Sequence, residues 1–230
     1  MRIVEIVRDH PIMKMHGCGN DFVVLMDPDG RLSGRDLQPM VKVVCARHTG
    51  VGADGLIAIM PARVGAARWR MQYLNSDGSG AQMCGNGVRC VAKYLADSVS
   101  GVTVGSSVSI DTDAGLIDVE IETNTDLEAT VRVNMGAPVL TDPSQVVGSP
   151  CPDGVVRVQS GDAKDLVYVG MGNPHAVAFC DDPASLVRRH GPTIEQDTSV
   201  FPQGVNIEFV RVEAPDELTM RVWELSLIHI

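Results

Sequence analysis

The sequence predicts an α+β protein made of two similar halves, and three observations favour it. Short runs rich in Val, Ile, Thr and aromatic residues recur along the whole chain, separated by Gly, Pro, Asp and Asn, which is typical of many short strands joined by turns. Three segments show helical spacing of apolar residues. Similar motifs also follow one another in the same order in both parts of the chain, which indicates a duplicated unit. Many strands with few helices favour the α+β class over a doubly wound α/β fold.

Ten segments are predicted to be strands because each is short, rich in β-branched or aromatic residues, and bounded by turn residues. In chain order they cover residues 22–26, 56–60, 69–74, 108–112, 117–122, 130–135, 166–169, 176–180, 205–212 and 218–223. Two helices are predicted at 37–47 and at 183–190. The second follows Asp181 and Asp182, and Asp is a preferred residue at helix N-termini.

A third helix is predicted to begin at Gly85-Asn86-Gly87, because apolar residues recur there at helical spacing. These residues are Val88, Val91, Ala92, Leu95 and Val99. Cys84 is therefore placed at a helix N-terminus, where the helix dipole and unpaired backbone N–H groups stabilise a thiolate. The same N–H groups could hold a substrate carboxylate. The alternative is a small apolar residue buried at a helix start.

The internal repeat consists of three pairs of matching motifs, roughly 150 residues apart. Gly19-Asn20-Asp21 matches Gly172-Asn173-Pro174, Gly52-Ala53-Asp54 matches Gly204-Val205-Asn206, and the segment that begins at Met71 matches the one that begins at Met220. Three matches in the same order predict two pseudo-equivalent halves, residues 1–128 and 129–224, with a cleft between them.

Composition and charge exclude several classes of protein. Hydrophobic residues make up 44% of the 230-residue chain, and no apolar run approaches the roughly 18 residues needed to cross a bilayer. We expect a cytoplasmic protein without membrane partners. The net charge of −10 would repel a phosphate backbone, so nucleic acid is a poor candidate partner. Six cysteines in a chain of this size favour reduced thiols over disulfides.

Asparagine-rich elements and one histidine are further candidates for a binding site. The asparagines are Asn20, Asn75, Asn173 and Asn206. An asparagine offers donors and an acceptor without charge, which suits an amino-acid head group; the alternative for each is a turn residue. His175 precedes an apolar run, and its alternative is a satisfied core histidine. Neither a phosphate-binding loop nor zinc-ligand spacing is found in the sequence, so no metal site is expected.

Six motifs, taken in order, closely resemble the diaminopimelate epimerase family, whose members are amino-acid isomerases independent of pyridoxal phosphate. The motifs lie at residues 15–22 (MHGCGNDF), 47–55 (RHTGVGADG), 75–79 (NSDGS), 84–90 (CGNGVRC), 171–175 (MGNPH) and 205–206 (VN). The resemblance runs from Ile12 to Glu224, and the ordered set is specific although each motif alone is not.

The resemblance implies two similar halves, each a mostly antiparallel sheet wrapped around a central helix, with the substrate enclosed between them. The implied reaction interconverts LL- and meso-2,6-diaminopimelate, a step toward lysine and peptidoglycan. One cysteine removes the α-proton as a thiolate while a second delivers a proton to the opposite face, and no cofactor is used. Inversion of a stereocentre needs an acid and a base on opposite faces, and cysteine can serve as either. A small-molecule substrate and a homodimer are expected as partners.

Matched position by position, the family motifs assign catalytic roles to three residues. Cys84 corresponds to one catalytic thiol, and His175 and Glu224 correspond to the pair that poises the thiols and holds the reacting centre. Gly55 lies where some members carry a polar side chain, so that contact is absent or supplied elsewhere.

Six further residues correspond to substrate-binding positions of the family. Gly85 and Asn86 match residues that bind the α-carboxylate and amine region of the substrate. Substrate-contacting asparagines are matched by Asn20, Asn75, Asn173 and Asn206.

The last six residues, 225–230, depart from the family, which continues after Glu224 with Arg-Gly and then a second Cys-Gly motif. We interpret this hexapeptide as a non-native tail. The repeat places the partner of Cys84 at about position 233, so the second half is interpreted as truncated and the 230-residue chain as inactive in epimerisation. Alternatives are a proline racemase-like or phenazine-biosynthesis-like isomerase of the same fold, or a non-catalytic amino-acid-binding remnant.

Overall fold

The structure, a computed structural model, describes residues 10–161 and 163–224. It confirms the predicted α+β class, with many strands and few helices among these residues. The chain divides into two compact units, Met1–Met135 and Gly136–Ile230. The hexapeptide interpreted as a non-native tail lies outside the described residues. No helix within the described ranges is long and apolar enough to cross a membrane.

Over its described residues, 10–135, the first unit contains one mixed sheet and two helices. Its strands are β1 (Ile12–Gly17), β2 (Asn20–Met26), β3 (Gly55–Pro61), β4 (Trp69–Asn75), β5 (Gly80–Ala81), β6 (Ser107–Thr112), β7 (Gly115–Asn124) and β8 (Ala129–Val133). They are ordered β1-β2-β3-β4-β6-β7-β8, with β5 paired to β4. Most neighbours are antiparallel, but β2–β3 and β4–β6 are parallel. The helices are α1 (Gln38–Val44) and α2 (Gly85–Ser98).

Both faces of the first sheet are covered, which explains the nearly continuous apolar run in β2. Phe22 and Val24 belong to the apolar cluster around α2, whereas Val23 and Leu25 belong to the cluster around α1. Successive strand residues point to opposite faces, so one strand serves both clusters. Each fully buried side chain of this size contributes roughly 1.5–3 kcal/mol. The core therefore fixes the position of α2 and of Cys84 at its start.

In the part of the second unit that the structure describes, there is a smaller sheet and one helix. Its strands are β9 (Arg157–Ser160), β10 (Ala163–Gly170), β11 (Pro174–Phe179), β12 (Asn206–Ala214) and β13 (Glu217–Trp223), ordered β13-β12-β11-β10-β9. Only β11 and β12 are parallel within this described sheet. Helix α3 (Pro183–Glu195) covers one face, where Val187 and Ile194 join the apolar cluster of Tyr168 and Phe209.

All ten predicted strands are present, with ends that differ by a few residues, but three strands of the described residues were not predicted. These are β1, β5 and β9. β1 is an edge strand whose residues are mostly exposed, so it carries no strong apolar pattern. The boundary between the halves was predicted after Glu128, and the first unit ends at Met135. Between these two positions lies β8, which pairs with β7 of the first sheet.

Helix lengths also differ from prediction. α1 is shorter than the predicted 37–47. α3 begins after Asp182 as predicted but continues through Pro192 beyond the predicted end at residue 190. Proline ordinarily breaks a helix because it removes a backbone hydrogen bond. Here Ile194 is buried, and Gly191 packs so closely against Trp223 that a Cβ on Gly191 would lie 2.7 Å from the Cβ of Trp223. These contacts stabilise the last turn of α3 although proline disfavours a helix.

Candidate active site

Cys84 caps the N-terminus of α2, as predicted from the helical spacing that follows it. Its backbone is extended, with φ −144° and ψ 114°, and its Sγ accepts a hydrogen bond from the Gly87 N–H at 3.4 Å. The side-chain amide of Asn20 donates to the same sulfur at 3.9 Å. The thiol is half-buried. Two N–H donors and the positive end of the helix dipole thus face the sulfur and stabilise negative charge on it.

Glycines allow the helix start to lie close against the sheet. A Cβ on Gly87 would lie 3.0 Å from Cδ1 of Ile57 and 3.6 Å from the Cys84 sulfur, and a Cβ on Gly17 would lie 2.9 Å from the Asn86 carbonyl oxygen. Side chains at these two positions would push α2 away from β1 and β3. The short Cys-Gly-Asn-Gly motif therefore serves packing as well as access to backbone N–H groups.

Asn20 is held beside Cys84 by a tight hairpin between β1 and β2. Its two turn residues, Cys18 and Gly19, have φ values of 53° and 88°, the left-handed pair that a two-residue hairpin turn requires. Asn20 is only 3% exposed, and its Oδ1 accepts no hydrogen bond from the described residues. An acceptor so placed can receive an N–H donor of a bound amino acid.

Asn75 ends β4 and is tied into the turn that follows. Its Nδ2 donates to Oγ of Ser79 at 3.0 Å, and its Oδ1 accepts from the Tyr73 hydroxyl at 2.6 Å. Opposite Asn75 in the sheet lies Gly55. A Cβ on Gly55 would lie 2.5 Å from Cε2 of Tyr73 and 2.6 Å from the Leu74 carbonyl oxygen. A polar side chain at Gly55 would therefore have to displace the ring that holds Asn75.

A charged network anchors the beginning of β2. Arg47 donates to both Asp21 and Asp54, at 2.8 Å and 2.6 Å, while Asp21 and Asp54 each accept the backbone N–H of the other at 3.0 Å. Burial acts to raise the pKa of Asp21, but hydrogen bonds from Arg47 and Lys14 outweigh it and hold that pKa well below its usual range. The network fixes the 47–55 loop to the strand that carries Asn20.

In the second unit, a polar cluster surrounds His175 on β11. Its Nδ1 lies 2.7 Å from Oε1 of Glu208, and its Nε2 lies 2.9 Å from Oδ1 of Asn173. The parallel register of β11 and β12 pairs His175 with Asn206. Glu208, two residues further along β12, lies on the same face of the sheet as Asn206. The structure thus brings together three of the predicted residues and adds Glu208.

Glu208 was missed by sequence reasoning because it lies within an apolar strand and in no family motif. One pattern could have revealed it. Asn206 and Glu208 alternate with Val205, Ile207 and Phe209, so the two polar residues share one face of a strand. A polar pair on one face of a largely buried strand indicates either an exposed edge or a functional face.

Glu224 follows directly after β13. Burial raises the pKa of its carboxyl above the ordinary 4.5, the Glu208 carboxylate raises it further, and His175 acts in the opposite direction. Glu224 is thus electrically coupled to the His175 cluster. A carboxyl that holds its proton to higher pH is a candidate proton donor.

The nine predicted site residues fall into two groups, one in each unit. The first unit carries Asn20, Asn75, Cys84, Gly85 and Asn86, and the second carries Asn173, His175, Asn206 and Glu224. Direct contacts join Cys84 to Asn20 and His175 to Asn173. The role assigned to each residue stays a prediction.

Two other features bear on the search for a site. A cavity of about 240 Å³ lies in the second unit, but the predicted site residues do not line it. Its walls are formed by Ser160, Gly161, Arg189, His190, Thr193 and Ile194. Among residues 10–161 and 163–224, no group of three or more His, Cys, Asp or Glu side chains is arranged to hold a metal ion.

Comparison with known proteins identifies relatives of this chain. The family model described as diaminopimelate epimerase matches residues 12–141. A diaminopimelate epimerase from Desulfitobacterium hafniense is 40% identical over 218 residues, which cover 93% of this chain and 75% of the relative. Another, from Moorella thermoacetica, is 41% identical over 216 residues, covering 92% of this chain and 75% of the relative.

Solved structures of lower identity show the same fold. A probable proline racemase from Agrobacterium radiobacter matches with a TM-score of 0.59 and 19% identity, over 92% of this chain and 69% of that one. A phenazine biosynthesis protein from Bacillus anthracis matches with a TM-score of 0.57 and 20% identity, over 93% of this chain and 70% of that one. These likenesses confirm the fold class predicted from the sequence.

Proposed function

The chain belongs to the diaminopimelate epimerase family of isomerases, and we propose that it serves the cofactor-independent epimerisation of LL-2,6-diaminopimelate to the meso form. The reaction runs by a two-base mechanism in which a thiolate and a thiol act on opposite faces of the α-carbon. Its product is a precursor of lysine and peptidoglycan.

The observation that carries the proposal is the environment of Cys84. The sulfur lies at a helix N-terminus and accepts from the Gly87 N–H and the Asn20 amide. These donors stabilise the thiolate, which is the form that removes a proton. The alternative, a small apolar residue buried at a helix start, does not account for the Asn20 amide or for the partial exposure of the thiol.

Charge that develops during the reaction needs donors of its own. When the Cys84 thiolate takes the α-hydrogen, the electron pair of the broken C–H bond delocalises into the α-carboxylate. The N–H groups of Gly85 and Asn86 at the start of α2 are the donors proposed to stabilise that charge. Their positions are fixed before the substrate binds, because α2 is packed against the sheet. Such preorganised donors cost no reorganisation during the reaction.

The proposal does not assign the second thiol of the mechanism to any of the described cysteines. Cys45 and Cys90 are buried, and burial raises the pKa of each thiol, so neither is suited to proton transfer near neutral pH. The proposal assigns the second thiol to the family position that follows Glu224. His175 and Glu224 are proposed to poise the thiols and to hold the reacting centre.

Hydrogen exchange at the α-carbon tests the proposal. The 230-residue chain is incubated with LL-diaminopimelate in heavy water, and deuterium at the α-carbon and meso product are measured separately. We expect exchange without inversion, because a single thiol returns a proton to the face from which it removed one. Cys84→Ala is expected to abolish exchange, and the matched control Cys151→Ala to retain it.

Three outcomes would count against parts of the proposal. Exchange that persists in Cys84→Ala contradicts the role of Cys84. Conversion to the meso form by the 230-residue chain contradicts the placement of the second thiol. Exchange of L-proline but not of diaminopimelate would instead favour a proline racemase-like activity.

A further inference from the structure

Glu208 has an unusual environment for a carboxylate. Its side chain is 11% exposed, and its Oε1 lies 2.7 Å from Nδ1 of His175. Within the described residues its Oε2 has no hydrogen-bond partner, and no Lys or Arg there forms an ion pair with it. Among the described residues, the imidazole of His175 is therefore the side chain that forms a hydrogen bond with this buried carboxylate.

We propose that Glu208 is a positioning residue: it accepts the Nδ1–H of His175 and so fixes both the tautomer and the orientation of the ring. The inference rests on the function proposed above, in which His175 poises a thiol. A carboxylate can only accept hydrogen bonds, so the hydrogen must be on Nδ1. Nε2 is then the ring nitrogen that gains or loses a proton.

Asn173 completes the arrangement at the other ring nitrogen. Its side-chain amide lies 2.9 Å from Nε2. A terminal amide carries both an acceptor and donors. It can accept from a protonated Nε2 and, with the amide turned over, donate to an unprotonated one. Asn173 therefore accommodates both protonation states of Nε2, whereas Glu208 permits only one state of Nδ1.

The equivalent positions of the first sheet carry apolar residues instead of this polar pair. By the register of the parallel strands, His175 takes the place that Phe22 has in the first sheet, and Glu208 takes that of Ile57. Phe22 and Ile57 are fully buried in the cluster around α2. Apolar residues often replace a buried ion pair without loss of stability. The pairing of a histidine with a carboxylate at these positions is the arrangement that the proposed role of His175 in proton transfer requires.

Glu224 is the third titratable group that faces this cluster. Burial raises the pKa of its carboxyl, and the negative charge of Glu208 adds to the effect. Glu224 is therefore coupled electrostatically to both Glu208 and His175. If the hydrogen on Nδ1 is fixed, the imidazole can pass a proton to or from a neighbouring group only at Nε2.

The tautomer of His175 is measured by long-range ¹H–¹⁵N NMR on the full chain labelled with ¹⁵N-histidine, at alkaline pH, where a free imidazole is neutral. His175→Gln identifies the cross-peaks. We expect the Nδ1–H tautomer in the wild type. It should be lost in Glu208→Leu, whose side chain cannot accept a hydrogen bond. Glu213→Gln, which alters an exposed acid on the same strand, is the matched control and should change nothing.

An Nε2–H tautomer in the wild type would overturn the proposal, as would an Nδ1–H tautomer that persists in folded Glu208→Leu. If Glu208→Leu does not fold, the wild-type tautomer decides, because an Nε2–H tautomer there contradicts the acceptor role. The measurement needs no catalysis. A chain that fails to exchange the α-hydrogen of diaminopimelate would therefore refute the proposed function and leave the tautomer result standing.

Discussion

The described cysteines differ in the environment of their sulfur atoms. Burial raises the pKa of Cys45 to about 11 and that of Cys90 to about 12. Cys84 is half-buried and accepts from two N–H donors. Cys18 is exposed at the hairpin turn, with the Arg89 guanidinium 3.3 Å from its sulfur. Accessibility and thiolate character therefore separate the thiols into reactive and inert groups.

This difference predicts the order of alkylation by a small reagent. In a Cys18→Ala background, brief iodoacetamide treatment is expected to label Cys84 before Cys151, and to leave Cys45 and Cys90 unlabelled. Peptide mass spectrometry gives the order. Equal labelling of all thiols, or labelling of Cys45 first, would show that the donors at the start of α2 do not activate Cys84.

The buried carboxyl of Glu224 predicts a pH dependence of folding. Its pKa is raised in the folded chain, mainly by burial, so the folded state binds this proton more tightly than the unfolded state does. The free energy of unfolding should therefore fall as pH rises from the ordinary value of 4.5 through the raised pKa. Glu224→Gln should remove this loss in urea titrations at a series of pH values. Glu217→Gln, which alters an exposed residue of β13, is the control. The prediction is contradicted if the free energy of unfolding falls with pH equally in the wild type and in Glu224→Gln.

Between elements, a charged cluster joins the end of β3 to the hairpin of β6 and β7. Arg63 donates from its side chain and its backbone to Asp111, and also to Asp113. The Asp111 carboxylate is buried, and the hydrogen bonds from Arg63 lower its pKa. The cluster connects strands that have no direct pairing, since β4 lies between β3 and β6.

Loss of Arg63 would leave the buried Asp111 carboxylate without its side-chain partner. Arg63→Ala is expected to lower the free energy of unfolding by about 1–3 kcal/mol at neutral pH. The stabilisation exists above the ordinary Asp pKa of 3.8 and is lost as pH falls through the lowered value. The difference between variant and wild type should therefore shrink in acid. Arg132→Ala removes an arginine that is 69% exposed, and should cost less than about 1 kcal/mol.

Elements with a strong local pattern were predictable, and elements defined by their neighbours were not. β2 and α2 carry apolar residues at the spacing of a strand and a helix, and both were predicted. β1 is an exposed edge strand, and it exists because the Cys18-Gly19 turn folds it back onto β2. The end of α3 depends on the packing of Gly191 against Trp223, a contact between residues distant in sequence.

The candidate site divides in the same way. Cys84 was predicted because its position at a helix start is a local property of the sequence. Asn75 was open to two readings, and its hydrogen bonds to Tyr73 and Ser79 show that it does serve the turn. Glu208 could not be assigned a role from sequence, because its contact with His175 depends on the register of two strands separated by α3.

At the scale of the whole molecule, the two units share one topological plan. In the first unit, β1 pairs with β2, α1 follows, and β3 returns parallel to β2 before pairing with β4. In the second, β10 pairs with β11, α3 follows, and β12 returns parallel to β11 before pairing with β13. The order of the sequence repeats therefore corresponds to a repeated order of elements. The units differ in what covers their sheets, because α2 has no counterpart within the described residues of the second unit.

The face of the second sheet opposite α3 consequently carries exposed apolar side chains. Phe179 is 67% exposed and Leu218 is 62% exposed, and Val212 and Met220 share their face and are also exposed. In the first sheet the corresponding face is buried under α2. Burial of apolar surface is the main stabilising contribution to folding, so local opening should cost less in β11–β13 than in β2–β4. Hydrogen exchange followed by mass spectrometry is expected to show faster amide exchange in β11–β13. Equal protection of the two sets of strands would mean that the one-sided sheet is as stable as the covered one.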